Sequence, residues 1–159
     1  MRLPELVEAK ASVSKLEYRS SELGFGLDPP KGYRKAASLG DERVRFLGST
    51  SQEITVRYDT RFGSGDEAIE KLADTIGAAL PDRTIESRRW RDVNGVRSLV
   101  VREGWNSALG SVRAMRVLIP AASGVYIVTG LASEVDFKAD FDAIEQSLLS
   151  FERGLTGRG

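Results

Sequence analysis

The dipeptide Asn94-Gly95, which lies between the extended runs 83–92 and 96–105, constrains the fold more than any other feature of this sequence. A two-residue hairpin turn requires a positive φ angle at both central residues, and Asn and Gly adopt that conformation most readily. Strands joined by so short a turn are antiparallel neighbours in one sheet. The sequence therefore predicts an antiparallel β-hairpin over these two runs.

The register of this hairpin divides its side chains between two faces of the sheet. With Asn94-Gly95 as the turn, Trp90 lies opposite Leu99, and Arg88 lies opposite Val101. One face is largely apolar and is predicted to face the core; it carries Trp90, Leu99, Val101 and Trp105. The other face carries three guanidinium groups, with smaller side chains between them: Arg89, Arg91 and Arg102, with Ile85, Ser87, Ser98 and Val100.

Two charged residues, Glu86 and Arg88, fall on the predicted core face. Either they lie at the margin of the sheet, or a β-bulge shifts the pairing by one residue and exchanges the two faces. In both cases one face of the hairpin keeps a cluster of Arg side chains.

Further strands are predicted where apolar residues alternate or form short runs. Two short strands, around Tyr18 and around Phe25, are joined at Ser21-Glu22. Longer strands are expected at 43–47, 53–59, 112–119 and 125–131.

Apolar residues at helical spacing predict a first amphipathic helix at 66–80. Ser64 and Glu67 fit a capping box at its start, and Asp66 is an alternative cap. Pro81 is expected to end it.

A second helix is predicted at 135–152, with Gly154 as its C-cap. Strands precede and follow the first helix, hairpins dominate, and no βαβ unit repeats, so we predict an α+β fold: a mainly antiparallel sheet with amphipathic helices packed on it. We expect one domain over 17–153, a flexible or weakly helical arm over 1–16, and a tail over 154–159.

The composition excludes several classes of function. Neither Cys nor His occurs, which rules out thiol catalysis, catalytic triads that need imidazole, and zinc sites built from thiolate or imidazole. The 23 basic and 23 acidic residues leave a formal net charge of zero, so nothing attracts the chain to nucleic acid at long range. No apolar run approaches the roughly 20 residues that cross a bilayer. We expect a cytoplasmic location for the chain as it stands, or an extracytoplasmic one if a signal peptide has been removed.

The order of several short motifs resembles the PsbP-like superfamily, which is named for an extrinsic subunit of the photosynthetic oxygen-evolving complex. These motifs are Tyr18, Gly24-Phe25 and Pro30 to Gly32-Tyr33, then Gly124-Val125-Tyr126-Ile127-Val128-Thr129-Gly130, then a final helix ending Ser147-Leu148-Leu149-Ser150-Phe151. The same fold occurs in a Ran-binding nucleotide-release factor and in many bacterial proteins. The resemblance implies an α/β/α sandwich over about residues 17–152, and a binding or assembly factor rather than an enzyme.

Three other features are candidate sites. Gly63-Ser64-Gly65 before the first helix resembles an anion-binding helix N-terminus but lacks the Lys-Ser/Thr of a phosphate loop. Asp136 and Asp140 are one helical turn apart and could share a divalent cation, although no loop supplies further oxygens. We interpret these features as a cap and a solvated helix face. Trp105, beside the loop 107–110, either completes the core or marks a partner site.

The Arg face of the hairpin is the principal candidate site. Arg89, Arg91 and Arg102 could bind a carboxylate, a phosphate or an acidic protein surface; otherwise they form a solvated face neutralised by nearby acids. We predict a non-enzymatic protein-binding or assembly module that needs no cofactor and no metal and acts as a monomer or weak homodimer. The alternative is a carrier that holds a small ligand or anion between helix and sheet.

Overall fold

A computed structural model describes residues 18–20 and 24–154 of this chain. The strands are β1 (Tyr18–Ser20), β2 (Phe25–Leu27), β3 (Arg34–Ala36), β4 (Val44–Leu47), β5 (Glu53–Asp59), β6 (Thr84–Val93), β7 (Val96–Ser107), β8 (Gly110–Pro120), β9 (Val125–Ser133) and β10 (Glu152–Arg153). The helices are α1 (Asp66–Ala78), α2 (Glu134–Ala139) and α3 (Phe141–Leu149). The predicted arm over 1–16, the Ser21-Glu22 connection and residues 155–159 of the predicted tail lie outside the described residues.

The predicted hairpin is confirmed in its turn and its register. Asn94 and Gly95 have φ angles of 49° and 83°, the left-handed values that this turn requires. Trp90 pairs with Leu99, as the sequence predicts. A register shift between Ile85 and Ser87 accommodates Glu86 as a bulge. Because this bulge lies beyond the paired segment 87–93, it does not exchange the faces of the Arg residues. It does move Ile85, which pairs with Glu103 and so leaves the predicted Arg face.

The strands form one large antiparallel sheet and one small one, which confirms the α+β prediction. Seven strands lie in the order β3-β4-β5-β9-β8-β7-β6, and β1, β2 and β10 form a separate three-stranded sheet. The long strand β6 lies at one edge of the large sheet, and the short strand β3 lies at the other. The hairpin therefore occupies an edge of the sheet rather than its centre.

Helices cover both faces of the large sheet. On one, which we call the α1 face, Ile69 and Leu72 of α1 pack with Leu99, Val101 and Leu118. On the opposite face, which we call the α3 face, the buried side chains of α2 and α3 pack with strand residues that include Val100, Val117 and Val128. Burying a side chain of this size contributes roughly 1.5–3 kcal/mol, so these two layers supply most of the hydrophobic stabilisation.

The single closing helix predicted at 135–152 is wrong, because the chain forms two helices that meet at Asp140. Asp140 has φ −112° and ψ 14°, outside the helical region. Its carboxylate accepts a hydrogen bond from the hydroxyl of Tyr33, which reaches it from the loop before β3. Burial, and then this hydrogen bond, raise the pKa of Tyr33 well above its ordinary value of 10.0, so the hydroxyl stays protonated as a donor.

The predicted C-cap at Gly154 is also wrong. Helix α3 ends at Leu149, and Glu152 and Arg153 then pair with β2. Gly154 continues that ladder, since its N–H donates to the carbonyl oxygen of Gly24 at 2.9 Å. The buried ring of Phe151 stacks on Phe25, with 5.4 Å between the ring centres, and so packs the segment after the helix against the small sheet.

The predicted capping box of α1 does not form. The N-cap is Gly65, which makes no side-chain capping hydrogen bond, so Ser64 lies one position before it. Asp66 and Glu67 both lie in the first turn instead of capping it. Their negative charges still favour the helix there, because they face the positive end of its dipole.

Helix α2 is anchored at its start by a cluster of hydroxyl groups around Asp136. Ser133 caps the helix and accepts the N–H of Asp136 at 3.3 Å. Ser51, in the turn between β4 and β5, donates its hydroxyl to the Asp136 carboxylate at 2.6 Å. Hydrogen bonds from Ser51 and then Thr50 lower the pKa of Asp136 below its ordinary value of 3.8. The charged form of Asp136 therefore ties this turn to α2.

Removing the charge of Asp136 should produce a pH-dependent loss of stability. Because folding lowers this pKa, the stabilisation is fully present above the unfolded value and disappears as the pH falls through the folded value. We expect Asp136→Asn to be less stable than the wild type by a constant amount above about pH 5, with the difference shrinking below pH 4. Thermal unfolding at a series of pH values measures this. Asp142→Asn is the control, since Asp142 is exposed on α3. If the stability difference between the wild type and Asp136→Asn did not change with pH across the acid range, the expectation would be contradicted.

Candidate functional site

Arg89 and Arg91 form a pair of exposed guanidinium groups on the edge strand β6. They occupy alternate positions on the α3 face, opposite Val100 and Ser98 of β7. Alternate residues on one strand are about 7 Å apart, so the two side chains are neighbours. Within the described residues neither has a carboxylate oxygen within 4.0 Å, whereas most of the other Arg side chains do. We call Arg89 and Arg91 the arginine pair.

Arg102 lies on the same face, opposite Ser87, but its side chain is engaged within the domain. Its guanidinium stacks on the ring of Phe141 at 4.3 Å and lies 3.5 Å from a carboxylate oxygen of Glu86. Its Nε is buried and makes no hydrogen bond in the described part of the chain. Of the three predicted Arg residues, Arg89 and Arg91 are thus exposed side by side, and Arg102 lies against α3.

The opposite side of β6 is fixed to helix α1. Arg88 donates to the carboxylate of Asp74 at 2.6 Å and to the carbonyl oxygen of Glu70 at 3.1 Å. The indole N–H of Trp90 donates to the Glu70 carboxylate at 3.3 Å, and Arg97 stacks on the same indole at 4.5 Å. These contacts fix the backbone that carries the arginine pair, so little backbone conformational entropy is lost when the pair binds a partner.

Hydrogen bonds also hold the turn at the tip of the hairpin. The side-chain amide of Asn94 donates to the carbonyl oxygen of Phe151 at 2.7 Å. Asp92 accepts the N–H of Gly95 at 3.2 Å. The turn is therefore attached to the segment that follows α3, so contacts hold β6 both at its middle and at its turn.

Sequence analysis missed a buried ionic cluster on the α1 face, which we call the Glu103 cluster: Glu103, Arg83 and Arg116. Glu103 is 1% exposed and accepts hydrogen bonds from Arg83 Nε at 2.7 Å and Arg116 Nε at 2.6 Å. Arg116 also donates to Thr129 at 3.3 Å, and its guanidinium lies 5.5 Å from the ring centre of Trp105. The sequence contained one indication of this cluster. Glu103 follows Leu99 and Val101 at alternate positions and therefore lies on the predicted core face. Glu103 is held by both guanidinium groups, so the cluster contains no free nucleophile or base.

A polar cleft of about 400 Å³ lies beside the bulge of β6, between the start of β8 and helix α2. Its guanidinium, Arg113, forms ion pairs with both Glu86 and Glu134, the second at 3.2 Å. Both carboxylates would have to be displaced before Arg113 could bind an anionic ligand. The cleft therefore gives a small-anion carrier little support.

The remaining candidates have structural partners. Asp140 accepts the Tyr33 hydroxyl and Asp136 binds Ser51, so the two carboxylates are engaged with different groups. No group of three or more acidic side chains in the described ranges is arranged to hold a metal ion. Trp105 packs at the edge of the Glu103 cluster, while Leu109, at the tip of the next hairpin, is 99% exposed. No described helix has the length and apolar character needed to cross a bilayer.

Comparison with known proteins places the fold. No protein-family model matches the sequence, and no curated protein matches it. Solved structures do match: cyanobacterial PsbP from Synechocystis has a TM-score of 0.65 at 11% identity, with 89% of this chain and 94% of that one covered. LpqN of Mycobacterium tuberculosis, a protein involved in cell envelope biogenesis, has a TM-score of 0.60 at 12% identity over 80% of this chain and 81% of that one.

A third match is a protein of unknown function from Pseudomonas aeruginosa. Its TM-score is 0.54 at 16% identity, and the alignment covers 72% of this chain and 76% of that one. Identities this low establish the fold alone. The fold implied by the motif resemblance is thereby confirmed: this chain has the PsbP-like fold.

Proposed function

We propose that this chain is a non-catalytic binding module that docks an acidic region of another protein on the arginine pair. The observation that carries the proposal is the contrast between this pair and most of the other Arg side chains in the described residues. Arg83, Arg88, Arg113 and Arg116 each bind a carboxylate of the chain itself. Arg89 and Arg91 are exposed side by side, on a strand fixed from behind by α1.

The chemistry of guanidinium favours a carboxylate partner. Arg presents donors in a planar fork that matches a carboxylate, and two such groups at a fixed spacing select two acids at the same spacing. A protein segment supplies carboxylates at regular spacing. Nucleic acid is a poorer candidate, because the net charge of the whole chain is zero.

A binding role rather than catalysis agrees with the side chains that are present. The sequence has no His and no Cys, and the buried carboxylate of Glu103 is held between two guanidinium groups. The Tyr33 hydroxyl donates to Asp140 and has a raised pKa, which makes it a poor base or nucleophile. None of these arrangements activates a group for reaction.

Reversing the charge of the arginine pair should abolish partner capture without unfolding the domain. We expect Arg89→Glu/Arg91→Glu to lose the protein that wild type retains in a cross-linked pull-down from the native host. Circular dichroism should show an unchanged fold, since exposed substitutions usually alter stability by less than about 0.5 kcal/mol. Arg102 is left intact because it packs on Phe141.

The matched control is Lys31→Glu/Arg34→Glu, which makes the same change in net charge. Both residues are exposed, at or just before β3, at the other edge of the large sheet. The control should retain the partner. Capture that survives reversal of the arginine pair, or that is lost equally in the control, would show that the pair is not the docking site.

A further inference from the structure

The outer edge of β6 has backbone groups without partners in the described chain. Among the described strands, β6 pairs only with β7 and ends the order of the large sheet. Val93 and Val96 flank the two-residue turn and so form a hydrogen-bonded pair, as do the residues at every second position from there. The N–H and C=O groups of Arg88, Trp90 and Asp92 therefore point outward, away from β7. They present a ladder on which a further strand could form.

The charges on this edge decide against a second copy of the chain as the occupant. If two β6 strands paired antiparallel about Trp90, Arg89 of one copy would lie opposite Arg91 of the other. Like charges directly opposite one another destabilise a strand pair. Arg side chains on an edge strand also discourage aggregation between copies, which is a common protection of exposed edges.

The same charges favour an acidic strand. Side chains alternate between faces, so acids at every second position of an added strand lie opposite Arg89 and Arg91 on the α3 face. The residue between them lies opposite Trp90, on the α1 face. Because β6 is held to α1 through Arg88 and Trp90, its edge does not need to reorganise to receive the strand.

We propose that β6 accepts an extended acidic segment of a partner protein as an added antiparallel strand, whose alternate carboxylates pair with Arg89 and Arg91. This inference rests on the proposed function and names the form of the partner. Main-chain hydrogen bonds to Arg88, Trp90 and Asp92 supply affinity, and the arginine pair supplies selectivity for acids at alternate positions.

A short synthetic peptide of alternating Thr and Glu tests this with the full chain. In the proposed pairing each Glu lies opposite an Arg of the pair, and the N–H of each Thr faces β6. Methylating the Thr backbone nitrogens should therefore prevent binding, whereas methylating the Glu nitrogens should leave it intact. Saturation with the unmodified peptide should slow amide hydrogen exchange at Arg88, Trp90 and Asp92. Arg89→Glu/Arg91→Glu should weaken peptide binding by about tenfold or more.

The outcomes separate this inference from the proposed function. If both methylated peptides bind equally and the three amides exchange as before, strand addition is overturned while docking on the arginine pair stands. The same conclusion follows if no peptide binds but partner capture still depends on the pair. If no peptide binds and capture does not depend on the pair, both proposals are overturned. Slower exchange at the three amides on concentrating the protein alone would identify a second copy as the occupant and would also overturn the inference.

Discussion

Replacing Glu103 with Ala is expected to destabilise the domain by about 3–5 kcal/mol, because it leaves two guanidinium groups in the interior without their shared carboxylate. Glu103 accepts from Arg83 and Arg116 at 2.7 and 2.6 Å, and Arg116 is itself only 8% exposed. Urea unfolding followed by circular dichroism measures the loss. Glu103→Gln keeps the size and one acceptor but not the charge, so its loss should be smaller.

Two comparisons make this expectation specific to the buried charge. Glu53→Ala also removes an ion pair, with Arg45 at 2.9 Å, but the Glu53 side chain is 31% exposed and its loss should cost no more than about 1 kcal/mol. Adding Arg116→Met to Glu103→Ala should recover part of the lost stability, since it removes a charge that the first substitution left uncompensated. The account would be contradicted if Glu103→Ala lost no more stability than Glu53→Ala. It would also be contradicted if Arg116→Met lowered the stability of Glu103→Ala further.

The hairpin and its register could be predicted because their determinants are local. Asn94 and Gly95 supply the positive φ angles themselves, and once the turn is placed the pairing of β6 with β7 follows by counting. The strands predicted at 43–47, 53–59 and 125–131 were likewise visible in short apolar patterns, and they correspond closely to β4, β5 and β9. Local conformational preference and period-two patterning are sufficient for elements of this kind.

The break between α2 and α3 could not be predicted, because the side-chain contact made at Asp140 comes from a residue distant in sequence. The apolar spacing of 135–152 is helical throughout, and nothing near Asp140 breaks it. The partner of Asp140 is Tyr33, 107 residues earlier in the chain. The early end of α3 similarly depends on the packing of Phe151 against Phe25 and on the pairing of β10 with β2.

The accessibility of the candidate site was only partly visible in the sequence. Pattern alone places Arg89, Arg91 and Arg102 on one face but does not show that α3 covers part of that face. The contact of Arg102 with Phe141 requires the helix to be placed over β7, which no local signal determines. The exposure of the other two follows from the position of β6 at the end of the strand order, which is a property of the whole sheet.

Replacing Phe25 with Ala should be as damaging as losing Glu103, at about 3–5 kcal/mol, for reasons of packing alone. The Phe25 ring is 0% exposed and contacts Phe151 at 5.4 Å and Tyr126 at 5.6 Å, so it joins the small sheet to the core of the large one. Truncation removes this contact area and leaves a cavity that β2 cannot close without breaking its pairing with β1 and β10.

The control is Phe62→Ala, at a half-buried ring that packs beside α1 with Lys71 at 4.7 Å from its centre. Its loss should be about half as large or less, because much of that ring is already in contact with solvent. Denaturant unfolding gives both values. Amide exchange gives a second readout: in Phe25→Ala the N–H of Gly154, which bonds to Gly24, should lose its protection before the hairpin amides do. Equal losses for the two Phe variants, or protection at Gly154 that persists in Phe25→Ala, would mean that the small sheet is held by contacts other than this ring.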